Sequence, residues 1–318
     1  MPPIQPSLRG SLLTGASAFA LSLSASGAQA QGAPPNAQPP ITAWIEAALF
    51  WTAGGGFNIP SVPGLGAPYT IFNPKGGFEG AFGFDYRWPN QNYHFIVDFR
   101  YGRTKSSNVN SSAFTPSTFG SSSTSSHITE HESHTVADFM IGRDLGIGAN
   151  NTQLQLGIRI ADLYAAAQLT QTGQSTFYSF GCFCSVTAPT SASGNWSSKF
   201  FGVGPRLAVT GDIPIGGPWT FDYSGGVAAL FGNRMFNASV TSSTNPIFVT
   251  DTSSLAFVFN ADGWAALSYW FTPQYRLSGG MRGDYYSAPL LTYNINSSGT
   301  HSIDRLYWGP FLRLTGSF

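Results

Sequence analysis

The sequence predicts an all-β fold: a transmembrane antiparallel up-and-down β-barrel of about ten strands, with short periplasmic turns and long extracellular loops. Three observations predict it. First, only 9% of the 318 residues are charged while 15% are aromatic; a soluble domain carries about a quarter charged residues. Second, side chains alternate apolar and polar through segment after segment, the signature of strands with two chemically different faces. Third, the connections between those segments alternate short and long, as they do in barrels that sort their turns to one side of a membrane. Mean hydropathy is −0.02, and no internal stretch reaches the roughly 18 uncharged apolar residues of a membrane helix. A closed barrel satisfies every backbone polar group in lipid without a helix. Lys+Arg and Asp+Glu are 15 each, so there is no positive excess for nucleic acid.

Residues 1–30 read as a secretory signal peptide: Arg9 near the amine, an apolar and small-residue run from Leu12 to Leu23, then Ala28-Gln29-Ala30, with cleavage after Ala30. Residues 31–41, with GAPPNAQPP at 32–40, read as an extended periplasmic lead-in. The barrel is expected over 42–318 as a single domain in the outer membrane of a Gram-negative bacterium. Cys182 and Cys184 form a C-x-C in a polar segment, open to a strained local disulfide or to two unpaired thiols.

The strands are expected near 42–52, 76–88, 92–103, 133–146, 152–168, 197–212, 218–232, 255–271, 273–286 and 304–318. In 78–88, Phe78, Phe82, Phe84, Tyr86 and Trp88 share one face and Glu79, Ala81, Gly83, Asp85 and Arg87 the other. In 93–101, Tyr93, Phe95, Val97, Phe99 and Tyr101 oppose His94, Ile96, Asp98 and Arg100. The phase of 152–168 is ambiguous, because Arg159 and Asp162 fall on opposite faces: either a bulge shifts the register or Asp162 lies near an interface. Short turns fall at PNQ near 90, GANN near 150, PIGGP near 215 and Thr272-Pro273. Long connections fall at about 53–75, 104–132, 169–196, 233–254 and 287–303. In 104–126, 14 of 23 residues are Ser or Thr, so this connection is expected to bury little and to be mobile.

The last strand, LYWGPFLRLTGSF, alternates to a terminal Phe318. Such an ending resembles the signal read by the outer-membrane barrel assembly machinery. GRDLGIG (142–148), LQLGIRIADLYAA (154–166) and FFGVGPRLAV (200–209), with Gly-x-Gly-Pro-Arg at 202–206, resemble the Legionella-type major outer membrane protein family. That resemblance spans roughly 135–318. It implies a barrel and a porin-like role, since the family's members are described as pore-forming, and it carries over no catalytic residue.

With apolar faces toward lipid, the lumen is expected to be lined by Glu79, Asp85, Arg87, His94, Asp98, Arg100, Arg159, Arg206, Asp222, Asp262, Arg276, Arg282, Asp284 and Arg313. An Arg or Lys on the lipid face at midplane would cost roughly 2–4 kcal/mol. Both signs occur in similar number. They fit a narrow polar channel, and equally an interior shut by Arg–carboxylate pairs, because about eight strands leave room only for side chains while 16–18 leave a channel. The leading expectation is a narrow porin-like channel for passive diffusion of small solutes. A closed structural or adhesin-like barrel acting through its loops is the alternative. An outer-membrane enzyme using His94, Asp98, His134 and Asp138 is the third, and the expectation is that the chain is not an enzyme.

HITEHESH (127–134) places His127 and His131 on one face of an extended chain and Glu130, Glu132 and His134 on the other. These are metal-ligand residue types. The expected reading is a solvated loop leading into strand four, with no metal and no cofactor. Outer-membrane lipid, the assembly machinery and small solutes are the expected partners, with a homo-oligomer and a surface partner on the loops left open.

Overall fold

The computed structural model describes residues 40–318 apart from 56, 60–69, 73–75, 90, 106, 118–119, 146–151, 180–183, 244–245 and 295–298. The signal peptide, most of the lead-in, the GANN turn and Cys182 lie outside the described residues. Ten strands form a closed antiparallel ring: β1 (Ile41–Gly54), β4 (Gly77–Arg87), β5 (Tyr93–Thr104), β7 (Gly120–Asp144), β8 (Gln153–Ser179), β9 (Cys184–Gly216), β10 (Trp219–Ser242), β11 (Pro246–Trp270), β12 (Tyr275–Asn294) and β13 (Gly299–Ser317). Pairing of β1 with β13 and of β5 with β7 closes the ring. Three further strands lie outside the ring. β2 (Phe57–Ile59) pairs with β3 (Thr70–Phe72), and β6 (Ser107–Ser117) pairs with the upper part of β7.

The alternation read in the sequence decides which face is which. Phe78, Phe82 and Phe84 point outward and are exposed, while Glu79 and Ala81 are buried inside. The same division holds along β5, with Tyr93 and Tyr101 outside and His94, Ile96 and Arg100 inside. Ile141, Leu156, Ile158, Leu207, Leu267 and Leu312 continue the outer row around the ring, each about half exposed. A continuous belt of this kind is solvated by lipid, since water-exposed apolar patches of that extent do not persist on monomers. Aromatic pairs border it: Trp51 with Trp308 at one rim, Trp219 with Tyr269 and Tyr275 with Phe318 at the other.

The phase of β8 is settled without a bulge. Its pairing runs unbroken through Thr135↔Asp162 and Asp162↔Phe201, so Arg159 faces in and Asp162 faces out. Asp162 lies at the belt's edge in an ion pair with Lys199 at 3.1 Å. At the short-turn end, Gly216 and Gly217 take φ of 143° and 55° between β9 and β10, where a side chain would be strained. The Thr272 hydroxyl accepts from the N–H groups of Gln274 and Tyr275 to shape the turn before β12.

Three expectations are corrected at the opposite end. The connections 104–132, 169–196 and 233–254 are largely strand rather than loop. β7 and β8 stay paired from Asp144↔Gln153 out to Gly120↔Phe177, and β9 and β10 continue beside them. The Ser/Thr composition hid an inward row that does have something to bury: Ile128, Leu169, Trp196, Phe236, Val240 and Leu291 pack into one cluster. β9 alone holds 33 residues, about 110 Å of chain at ~3.3 Å per residue, where roughly 9–11 residues cross a bilayer. A tall wall therefore stands beyond the belt.

The second correction concerns 287–303. β12 and β11 pair only as far as Asn260↔Tyr286. Beyond that row β12 bends inward at Ser287–Pro289, with Ala288 at a φ of 51°. Leu290, Leu291 and Thr292 are then buried on both faces, and the Leu291 N–H donates to Ser198 Oγ of β9 at 2.8 Å. This hairpin, continued by the Leu290↔Ile303 pairing with β13, is a strap across the inside of the wall. The third correction is HITEHESH, which is a stretch of β7 rather than a solvated loop. The two faces divide as the spacing implied, but Glu130, Glu132 and His134 are buried inside.

Candidate functional site

The lumen is the candidate site, and every lining residue expected from the sequence lies on its inner side. Two connected groups of charge fill its middle. In the first, Arg159 Nε and Nη2 donate to the two oxygens of Asp138 at 2.7 and 2.6 Å. Its Nη1 reaches Asn260 and, at 2.8 Å, Asp262 on β11. Arg206 forks onto Asp262 and approaches Asp138 at 3.5 Å. Arg100 binds Asp284 of β12 and lies 3.4 Å from Asp98. In the second group, Arg282 contacts Glu46 at 2.6 Å and Glu79 at 2.7 Å, Arg313 contacts Glu46 at 2.8 Å, and His134 Nε2 meets Glu79 at 2.6 Å. Arg313 also lies over the ring of Trp264, with Trp44 and Phe311 nearby.

Several of these contacts are chords of the ring rather than links between neighbours. β5 to β12 and β8 to β11 cross the interior. Arg159 is 0% exposed, so at that level its charge is met by protein groups rather than by water. Burial of this many ions is tolerable because carboxylates Glu46, Glu79, Asp98, Asp138, Asp262 and Asp284 face guanidiniums Arg100, Arg159, Arg206, Arg282 and Arg313 at bonding distance. An unpaired ion there would cost several kcal/mol.

Toward the short-turn end the lumen is wetter. Asp85, Arg87 and Arg276 keep 21–25% of their side chains exposed. His94 is held between Asp85 at 2.9 Å and Asp144 at 3.0 Å, and Arg276 meets Asp222 at 3.1 Å. Toward the tall end the interior becomes apolar: Phe50, Val136, Leu163, Phe200, Leu230, Val258, Tyr286 and Leu290 form a core. Glu132 and Arg305 join β7 to β13 across it at 2.7 Å. Glu130, two residues further out, is opposite Ala167 and well beyond the belt's edge at Asp162. It is fully buried and neither of its oxygens has a hydrogen-bond partner among the described residues. Burial, with the Glu132 charge adding to it, pushes its carboxyl up to about 9. Burial raises Glu132 as well, against the pull of Arg305.

The Gly202–Arg206 segment has a packing role. A Cβ on Gly204 would strike the Ala229 carbonyl of β10, and one on Gly202 would strike the Phe200 ring. Gly204 lets β10 approach β9, and Gly202 makes room for the Phe200 ring that fills the core.

The four residues weighed for catalysis are not brought together. His94 faces Gly142 in the β5–β7 pairing, eight residues from His134 along β7, or about 26 Å at ~3.3 Å per residue. Asp98 and Asp138 are cross-strand partners, and Asp138 is tied up by Arg159. Among the described residues no three His, Cys, Asp or Glu side chains are grouped to hold a metal ion. Sequence reasoning left Glu46, Asp138, Asp144, Glu132 and Arg305 off the lumen's lining. Parity would have found Glu46, since Ile45, Leu49 and Trp51 are exposed outside, and Asp138, since Phe139 and Ile141 are exposed outside.

No family model matches the chain, and no curated protein does. Among solved structures, it is similar to the outer membrane protease OmpT from Escherichia coli, at 10% identity over 89% of this chain and 98% of that one, with a TM-score of 0.47. It is also similar to Neisserial surface protein A, at 12% identity, 89% and 100% coverage and a TM-score of 0.27. The Ralstonia pickettii toluene transporter TbuX follows at 9% identity, 89% and 90% coverage and a TM-score of 0.26. These likenesses assign no residue a role; the barrel stands on the strand register given above.

Proposed function

We propose that this chain is an outer-membrane protein whose barrel is closed and whose work is done by the wall it raises outside the membrane. One observation carries the reading: the fully buried Arg159 guanidinium joins β8 to β11 through Asp262 in the middle of the lumen. The apolar core and the inward strap close the same path a second time.

The wall itself is suited to contact. Residues 107–129, 163–198 and 235–250 contain no Asp, Glu, Lys or Arg. Their outward rows are dominated by hydroxyl and amide groups, among them Ser123, Ser125, Thr172 and Gln174. Such a surface recognises uncharged polar partners by hydrogen bonding, with little of the salt-sensitive steering that charges give. The narrow porin-like reading has its support in the wetter short-turn end, where Asp85, Arg87 and Arg276 reach solvent. It requires both the charged middle and the strap to part.

The orientation is directly testable. In a Cys182→Ser/Cys184→Ser background, Ser125→Cys on intact cells is expected to react with a membrane-impermeant maleimide. Ile215→Cys, at the β9–β10 turn, is expected to react only after the envelope is opened. The reverse pattern would place the wall in the periplasm and end the surface reading.

A further inference from the structure

Where β12 leaves β11, the ladder of the barrel wall is interrupted, leaving a lateral gap among the described residues. From Phe259 outward the edge of β11 has no ladder partner on this side among the described residues, and the Phe259 N–H donates instead to Ser287 Oγ at 3.0 Å. Outside the gap stand Leu255, Phe257 and Phe259, exposed by 90%, 57% and 42%. Asn233 pairs with both Phe201 and Leu255, so this lip lies at the outer edge of the apolar belt.

Just inside the gap is a cation of a different kind from the rest of the lumen's. Arg100, Arg159, Arg206, Arg276, Arg282, Arg305 and Arg313 each meet a carboxylate. Arg234 on β10 meets none among the described residues. Its Nη1 donates to the Ala288 carbonyl at 2.9 Å, and its Nε is buried without a partner among the described residues. Directly across the β10–β11 ladder is Ser254, whose buried Oγ also has no partner. Two adjacent orphaned donors, one of them on a partly exposed cation, call for one acceptor, because a buried polar group left unpaired costs about 1–3 kcal/mol.

We infer that the gap between β11 and β12 binds an anionic amphiphile: a phosphate or carboxylate head on Arg234 and Ser254, with its acyl chain along Leu255, Phe257 and Phe259. The head gives the unpartnered Nε and hydroxyl an acceptor in a charge-assisted pair, and the chain covers the exposed apolar side chains of the lip. The position at the belt's edge matches the depth at which a membrane amphiphile carries its head. Because Arg234 also holds the Ala288 carbonyl at the bend of the strap, occupancy bears on how the strap is held. The inference does not depend on whether the lumen conducts.

The test is native mass spectrometry of the whole mature barrel in a nonionic detergent, titrated with dodecyl phosphate. One dodecyl phosphate is expected to be retained per chain, and Arg234→Gln is expected to lower that retention by about ten-fold or more. Ser254→Ala, which leaves the Ala288 contact intact, is expected to lower it several-fold, and Arg103→Gln on the outer rim to leave it unchanged. Dodecyl maltoside and inorganic phosphate test chain and head separately, and neither is expected to be retained. Phosphatidylglycerol titrated in parallel tells a bilayer lipid from a free single-chain anion; retention of either that is lost in Arg234→Gln supports the site. Heat-dependent gel mobility confirms that each variant is folded. Retention unchanged in both Arg234→Gln and Ser254→Ala, or equal binding of inorganic phosphate, would overturn the inference.

Discussion

Unfolding the Arg159→Ala variant is expected to require about 3–5 kcal/mol less free energy than unfolding the parent chain. Arg159 is wholly buried and serves Asp138, Asp262 and Asn260 together. Its removal leaves Asp138 and Asp262 with Arg206 as their nearest cation, and the space it leaves is too polar to remain dry and too enclosed to solvate two carboxylates. Most of the loss is therefore the cost of stranding its partners, not the intrinsic worth of the pairs. The combined variant Arg159→Met/Asp138→Asn removes one charge of each sign, leaves Asp262 paired with Arg206, and is expected to recover a large part of the loss. Arg87→Ala, at the wetter end against Asp144, is expected to change stability by no more than ~1 kcal/mol, as exposed pairs do. Urea titration of the refolded barrel in lipid vesicles, read by gel mobility, measures all three. Equal losses for Arg159→Ala and Arg87→Ala would mean that the middle of the lumen is hydrated rather than closed.

Stability should also carry an alkaline slope that belongs to Glu130. Its carboxyl has an ordinary value of 4.5 and is pushed up to about 9 in the folded chain. Between those values the native protein keeps a proton that the unfolded chain releases, so folding takes one up. The contribution to stability is then fully present below about pH 4.5 and is lost progressively as the pH rises toward 9. Glu130→Gln keeps the shape and cannot ionise. It is expected to match the parent near pH 4 and to exceed it increasingly from pH 6 to 9, with unfolding midpoints at each pH as the measurement. Subtracting the two profiles cancels the other carboxylates. Parallel profiles would mean that Glu130 is solvated or paired.

What the sequence made legible follows from how local each signal is. Outer and inner faces of 78–88 and 93–101 depend only on parity within a strand, and Phe82, Glu79, Phe99 and Arg100 lie where parity puts them. The orientation of Glu130, Glu132 and His134 was legible for the same reason. Their burial was not, because the Ser/Thr-rich surroundings suggested solvent, while the inward positions of β8 to β10 supply Leu169, Trp196 and Phe236. Composition averages over both faces of a strand and so hides a one-sided core. Partners across the lumen were beyond reach as well. That Arg100 meets Asp284, 184 residues away, depends on how far each strand is staggered around the ring, which no single strand encodes. The strap was missed because its cause is a three-residue bend at Ser287–Pro289, and Ala288 gives no glycine-like warning of its left-handed backbone.

Closure of the lumen is the claim on which the functional reading turns, and single-channel recording tests it most directly. Refolded residues 31–318, with folding confirmed by gel mobility, are expected to leave a planar bilayer silent across a range of voltages. Reproducible current steps that disappear when the sample is denatured beforehand would contradict closure and return the chain to the narrow-channel reading.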